Sequence, residues 1–449
     1  MSRTIRINGP GSVFGDLLVP GDKSLSHRVA MLASVARGAS VITGFASSRD
    51  CSATLECVQR LGIEVERKGR EIIIHGRGLR GYAPGDAKVL LDAGNSGSTI
   101  RMLSGLLAAQ RFTSVVDGDA SLRRRPMARI IEPLAMMGCR IDAGEGNCAP
   151  LTIRGGLLKA ISYSSRIASA QVKSCVLFAG LYAEGKTIFK EPFRSRNHTE
   201  LMLPAFGIEV ETYVDESDSI VSLEGGRELE SVRYNVPGDI SSAAFFIAAA
   251  TALPGSNLAI GGVGLNPTRA AFIEVLNGLG AYIRLENVIE HHGEPVGDLI
   301  VSGSRLVGEA GGTILSGEII PNIIDEVPIL AVIGTQVEGR IEVRGAKELR
   351  VKESDRIRTV VDGIRALGGE IEEFEDGFAV GGPQRLKGSR IETAGDHRIA
   401  MAFSIAGLIA EGETEIIDAD CASVSFPEFY ELLAQVSGSA GESKDVMEL

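Results

Sequence analysis

The chain has no C-x-x-C pair, no long apolar run and no surplus of basic residues, and each absence removes a class of protein. Its six cysteines (Cys51, Cys57, Cys139, Cys148, Cys175, Cys421) lie far apart with no histidine at metal-ligand spacing, so neither a disulfide framework nor a metal site is expected. Apolar runs such as Ala243 to Leu253 and Ile329 to Ile333 end after about 12 residues or fewer, against the roughly 20 that a membrane helix needs. No membrane span is predicted. Residues Met1 to Pro20 lack the basic stretch, apolar core and cleavage site of a secretory signal, so a cytoplasmic protein is expected. The net charge of −12, with no basic stripe interleaved with aromatics, argues against nucleic acid or anionic membrane as a partner. An anionic ligand must then be met by a local basic cluster.

What is present is size and repetition. With 449 residues, 44% hydrophobic and 23% charged, two domains of about 200 residues each are expected. The string Val19-Pro20-Gly21-Asp22-Lys23-Ser24 recurs as Val236-Pro237-Gly238-Asp239-Ile240-Ser241, each time ahead of a small-residue-rich helical stretch, which marks two related halves. A finer unit repeats within each half. Its first helices span Ser24 to Arg37, Ser96 to Ala109, Ser169 to Glu184, Ser241 to Leu253, Asp325 to Glu338 and His397 to Glu411, apolar nearly all round and therefore predicted to be buried. Its second helices end in Leu61-Gly62-Ile63, Met137-Gly138-Cys139, Phe206-Gly207-Ile208, Leu279-Gly280-Ala281 and Leu367-Gly368-Gly369, where glycine suits a left-handed helix stop. The sixth unit lacks this signature, and its helix Pro427 to Val436 leads into residues 437–449, read as a disordered tail. The first 20 residues are expected to supply its missing strands. That gives a first domain at 20–233 and a discontinuous second domain at 1–19 and 234–436. Six helix starts with free N–H groups would make the cleft between such domains an anion trap.

Two motif matches fail on context. Gly180-Leu181-Tyr182-Ala183-Glu184-Gly185-Lys186-Thr187 fits the phosphate-binding expression G-x-x-x-x-G-K-S/T, but it closes a helix and leads into a strand, the reverse of the required order. Gly76-Arg77-Gly78 lacks a βαβ setting and is read as a hairpin turn. Other clusters carry more chemistry. In Pro20-Gly21-Asp22-Lys23-Ser24-Leu25-Ser26-His27-Arg28 an ammonium, a hydroxyl and a guanidinium converge within one helical turn. Gly94-Asn95-Ser96-Gly97-Ser98-Thr99-Ile100-Arg101 and Ser169-Ala170-Gln171-Val172-Lys173 repeat the idea. In Arg123-Arg124-Arg125-Pro126 the first two arginines are read as a solvated face and Arg125 as aimed at a ligand. Leu349-Arg350-Val351-Lys352-Glu353-Ser354-Asp355-Arg356 places Lys352 and Arg356 four apart, on one face if helical, beside Glu353. With Asp325 in Ile323-Ile324-Asp325-Glu326 there are two candidate acid/base carboxylates. Asp396-His397-Arg398 adds a further cation, and the lone histidines form no triad with a Ser or Cys nucleophile.

In order and spacing these motifs resemble the EPSP synthase family of enolpyruvyl transferases from Pro20 to Pro427. The resemblance implies an α/β fold of two domains, an inside-out α/β barrel in which each domain has three βαβαββ repeats around buried parallel helices. It implies that Lys23, Ser24, Arg28, Ser169, Ala170, Gln171, Arg196, Asp325 and Lys352 hold shikimate 3-phosphate. Lys23, Gly97, Arg125, Gln171, Arg356 and Arg398 would surround phosphoenolpyruvate, with Asp325, Glu353 and Lys23 as the proton-transfer groups. These small molecules are the expected partners of a monomer that needs no cofactor and no metal. Clustered cations fit the chemistry, because two phosphates and two carboxylates must be brought together against their repulsion. Val424 stands where many relatives carry a lysine, and Ser169-Ala170-Gln171 replaces two serines and a glutamine, the pattern of the family's second sequence class. Gly97 keeps the small residue associated with room for the inhibitor glyphosate, which that class often tolerates, so sensitivity stays open. Two rivals stay open as well: the sister transferase acting on UDP-N-acetylglucosamine, which usually bears a cysteine on the loop that here is Asp117 to Arg125 and has none, and a noncatalytic phosphosugar-binding protein.

Overall fold

The structure, a computed structural model, describes residues 3–215 and 218–438; residues 439–449 of the expected tail lie outside them. The last helix, Phe429–Ser437, reaches into the stretch read as disordered. The chain divides into two units. The first comprises Gly21–Val236 together with His291–Glu294, and the second runs up to Pro20 and resumes over Pro237–Glu290 and from Pro295 onward.

In the first unit a pattern of period two makes the strands: in Lys88–Asp92, Val89 and Leu91 face inward while Lys88, Leu90 and Asp92 face out. That strand runs parallel to Thr113–Asp117, so the chain must cross over through the helix Gly97–Leu107, after which Cys148–Arg154 and Arg140–Gly144 add antiparallel. Within the sheet the order is thus first, second, fourth, third. Ser162–Ser164, Lys186–Glu191, Asp218–Glu224 and Val210–Asp215 repeat it. The first repeat takes its leading strand from the far end of the unit, where Leu229–Glu230 and Arg233–Asn235 pair parallel with Ala36–Thr43. Three helices, Lys23–Val35, Gly97–Leu107 and Ala170–Gly180, form the core and are buried over most of their length. Small residues set their spacing: a β-carbon on Gly105 would lie 2.2 Å from the Cys175 carbonyl oxygen of the neighbouring helix.

The second unit repeats the scheme around Ile240–Ala252, Val327–Gly334 and His397–Ile409. Every residue of Ile240–Ala252 up to Thr251 is buried, and Phe245 and Phe246 meet Phe429 with ring centres 5.9 and 5.8 Å apart. Each such side chain contributes about 1.5–3 kcal/mol of transfer free energy. The first 20 residues serve two sheets rather than one. Ile5–Gly9 pairs antiparallel with Gly412–Ile417 and completes the three-stranded sixth sheet, whereas Phe14–Leu17 becomes the leading strand of the fourth, beside Asn257–Gly264. The amphipathic second helices stop as expected, with φ of +86°, +102°, +81°, +88° and +77° at Gly62, Gly138, Gly207, Gly280 and Gly368. Among the described residues no helix is long and apolar enough to cross a membrane.

Three local readings change. Gly76 and Arg77 lie inside the strand Glu71–Arg77 rather than in a hairpin turn, and Gly76 is small because a β-carbon there would lie 2.2 Å from the Ala33 carbonyl oxygen. The fifth core helix begins at Val327 and not at Asp325, since Pro328 suits the first turn of a helix and Ile320–Ile323 forms a short helix of its own. Lys352 and Arg356 do not share a helical face: Asp355 accepts from the Arg358 N–H at 3.1 Å and starts the helix Arg356–Ala366, leaving Lys352 extended ahead of it. The phosphate-loop match is disposed of as read, because the helix ends at Gly180, Gly185 has φ +90°, and the strand Lys186–Glu191 follows.

Candidate active site

In the first unit the helix starts carry the expected groups. Lys23 opens its helix behind the cap Asp22, whose carboxylate accepts from the Leu25 N–H at 2.8 Å, and the Lys23 ammonium meets Asp50 at 3.0 Å. One turn on, the buried Arg28 donates to Thr199 Oγ1 at 2.8 Å, to the Ser24 carbonyl at 2.8 Å and to Ser174 Oγ at 3.0 Å. Ser174 in turn donates to the Ala170 carbonyl at 2.6 Å, so Ser24, Arg28 and Ala170 belong to one network. Gln171 spans to the next helix, accepting from Arg101 at 2.8 Å and donating to Ser98 Oγ at 3.0 Å. Gly97 leaves room for two guanidinium groups, because a β-carbon on it would lie 2.7 Å from Arg101 Nη1 and 3.4 Å from Arg125 Nη1. Arg125 is buried and held by Asn95 Oδ1 at 2.7 Å, whereas Arg123 is exposed and pairs with Asp117 at 2.5 Å. Ser169 caps the third helix without a side-chain cap bond, and Arg196 lies half-buried in the loop ahead of His198–Met202.

In the second unit the cations sit among carboxylates. Arg356 is buried and donates to Asp396 Oδ2 at 2.9 Å and Glu353 Oε2 at 2.5 Å, with Asp325 Oδ1 3.6 Å away. Burial works against its charge, but Asp396, Glu353 and Asp325 outweigh burial and hold its pKa above the ordinary guanidinium value. Burial likewise opposes the charge of Asp396, and the Arg356 guanidinium still leaves that carboxyl below its usual range. Arg398 donates to the Asp325 carbonyl at 3.1 Å and lies 3.8 Å from its carboxylate and 3.7 Å from Glu326. Both candidate acid/base carboxylates, Asp325 and Glu353, therefore touch one guanidinium and keep 18% of their side-chain surface exposed. Lys352, next to Glu353 in the chain, donates to Glu348 at 3.3 Å.

The expectation of free N–H groups at six helix starts is narrowed at four of them, where one first-turn donor is capped. Asp22, Ser96, Asp239 and Asp396 each accept from an N–H of their own first turn, because a carboxylate or hydroxyl at the cap satisfies that donor locally. Side-chain cations add their charge beside the first-turn N–H groups that these caps leave. Asp50 and Thr199 lay outside every quoted motif, whereas Asn95, Arg101 and the buried Glu326 stood inside quoted motifs without a role; Glu326 accepts from Ser241 while Arg269 donates to Ser241 at 2.7 Å. Asp396 stood in a quoted motif, and a carboxylate directly ahead of a helix was the available signal for its capping role. Among the described residues Glu64, Glu66 and His75 bring possible metal-ligand atoms together, but Glu66 is already engaged by Lys68 at 2.6 Å and His75 at 2.6 Å.

Buried helices present guanidinium, ammonium and hydroxyl groups at their starts, and two carboxylates lie on one arginine, a set of groups suited to small polyanions. Comparison with known proteins gives that arrangement a family. The family model "EPSP synthase (3-phosphoshikimate 1-carboxyvinyltransferase)" matches residues 7–433, and the chain belongs to this family. It is 49% identical over 423 residues to the 3-phosphoshikimate 1-carboxyvinyltransferase of Alkaliphilus metalliredigens, covering 94% of this chain and 97% of the relative. The enzyme of the same name from Solibacter usitatus is 49% identical over 434 residues, covering 96% and 99%. The solved EPSP synthase of Acinetobacter baumannii superposes with a TM-score of 0.84 at 41% identity, covering 97% of this chain and 98% of that one.

Proposed function

We propose that the two sets of residues assigned above from the family resemblance hold the two substrates of 3-phosphoshikimate 1-carboxyvinyl transfer. The chain is a transferase of the shikimate pathway: it moves the enolpyruvyl group of phosphoenolpyruvate to the 5-hydroxyl of shikimate 3-phosphate and releases phosphate. That membership sets aside the UDP-N-acetylglucosamine and noncatalytic readings. The observation that carries the site assignment is Arg356 shared by Asp325 and Glu353, a cation for substrate charge with two carboxylates close enough to act on the same reactants.

In this reading Asp325 takes the proton of the 5-hydroxyl as its oxygen bonds to the central carbon of phosphoenolpyruvate. Glu353 or Lys23 protonates the methylene carbon, which gives a tetrahedral adduct with a new methyl group. The adduct then loses phosphate and returns one methyl proton, leaving the enol ether. Arg125, Arg356 and Arg398 offset the charge throughout. The same reading makes the protein a cytoplasmic monomer acting on small molecules and not on nucleic acid, supported by its charge of −12. Sedimentation would give one species of monomer mass.

The test is phosphate release from phosphoenolpyruvate with and without shikimate 3-phosphate, for the parent, Asp325→Asn and Glu353→Gln. Release that needs the acceptor and falls about a hundredfold or more in each folded variant is the expected result, the scale of general acid–base help. Undiminished release in both variants would remove the two carboxylates from the chemistry.

A further inference from the structure

One buried carboxylate outside the catalytic set ties together two pieces of the acceptor site. The strand Lys186–Glu191 alternates so that Thr187, Phe189 and Glu191 face the core, which puts a carboxylate where an apolar side chain is normal. Glu191 is 1% exposed and fully engaged. Its Oε1 accepts from Lys173 Nζ at 2.8 Å and from the Ser195 N–H at 2.9 Å. Its Oε2 accepts from the Ser195 hydroxyl at 2.7 Å and from the Ser169 N–H at 3.2 Å. Lys173, also 1% exposed, donates to the Ser195 carbonyl at 3.2 Å and pairs with Glu200 at 2.8 Å. The N–H, hydroxyl and carbonyl of Ser195 are thus all held, one residue before Arg196, and the same carboxylate holds the helix cap Ser169. The segment borders an open depression of about 450 Å³ lined in part by Arg194, Asn197 and Glu200.

We propose that Glu191 and Lys173 are positioning residues for shikimate 3-phosphate: the pair sets the loop that carries Arg196 and the helix start at Ser169, and of the groups assigned to phosphoenolpyruvate it reaches only Gln171, which the two substrates share. The proposal rests on the assignment of Ser169 and Arg196 to that substrate. A buried ion pair costs desolvation and is no general source of stability, so its use here buys geometry. Glu191→Gln keeps the volume and removes the charge that binds Lys173.

The experiment is steady-state kinetics on the full chain for Glu191→Gln, Ser195→Ala and Arg196→Ala, with melting temperatures alongside. Glu191→Gln is expected to raise KM for shikimate 3-phosphate about tenfold while KM for phosphoenolpyruvate stays within about twofold, and Ser195→Ala to do the same about threefold. In the Arg196→Ala background the Glu191→Gln effect should shrink, since positioning a missing group gains nothing. If Glu191→Gln does not fold, Ser195→Ala alone decides. Equal rises in both KM values, or a lower melting temperature with unchanged KM, would overturn the proposal. If Arg196→Ala leaves the KM for shikimate 3-phosphate unchanged, the site assignment itself falls, and the proposal with it.

Discussion

The two units surround their site arginines with different groups. In the first unit Arg28, Arg101 and Arg125 donate to Thr199, Ser174, Gln171, Asn95 and Ser121, neutral acceptors that orient each guanidinium. In the second, Arg356 and Arg398 lie against Asp325, Glu353, Asp396 and Glu326. Neutral bracing suits a receptor for anions. Carboxylate bracing sets acidic groups beside a fixed positive charge, and for the buried Asp396 that charge holds the carboxyl below its usual range.

The sharpest way to break this comparison is to remove one arginine from each unit. Arg356→Met should cost about 3–5 kcal/mol, because it leaves the buried Asp396 without its counter-charge. Arg28→Met should cost about 1–3 kcal/mol, the loss of hydrogen bonds to neutral groups. Urea unfolding of both variants measures the difference, and equal losses would mean that the bracing groups do not matter. Next in size is Gly97→Ala. Its methyl group would press on Arg101 and Arg125, so KM for phosphoenolpyruvate should rise about tenfold with little change in melting temperature. By contrast Gly105→Ala, placed against the Cys175 carbonyl, should leave both KM values alone and destabilise by about 1–3 kcal/mol through overpacking.

Acidification should separate the units by smaller steps. Burial, helped by Lys23 and Arg28, holds the His27 pKa well below its ordinary value. Its stabilising contribution is therefore complete above about pH 6.5 and declines as pH falls below it, since the unfolded chain binds that proton first. Asp396 has a depressed pKa, so its contribution survives to about pH 4 and is lost only as pH falls further toward the folded value. Melting temperature against pH should show a first decline absent from His27→Gln, and a second at lower pH absent from an Asp396→Asn variant that folds.

How much of this could be read in advance depended on range. The glycine stops were legible because a left-handed residue after a helix is a local demand, and five of them hold positive φ. The six buried helices were legible because their sequences are apolar on every side. The start at Val327 was also written locally, in Pro328, and the Asp355 cap that moves Lys352 off the helix lay inside the quoted motif. What sequence could not reach were the partners of the site residues. Lys23 and Asp50 are 27 positions apart, Arg101 and Gln171 70, and Arg28 and Thr199 171.

By itself the sequence determined the repeat, the helices, their stops and the residue types that can meet phosphate and carboxylate, because each follows from interactions within a turn or two of the chain. Tertiary structure alone decided which groups surround each site cation, where Ile5–Gly9 and Phe14–Leu17 pair, and that Glu191 turns a core-facing strand position into a support for Ser169 and Ser195. Those outcomes depend on distances across the fold, and the free energy of a charge depends on what surrounds it more than on what precedes it.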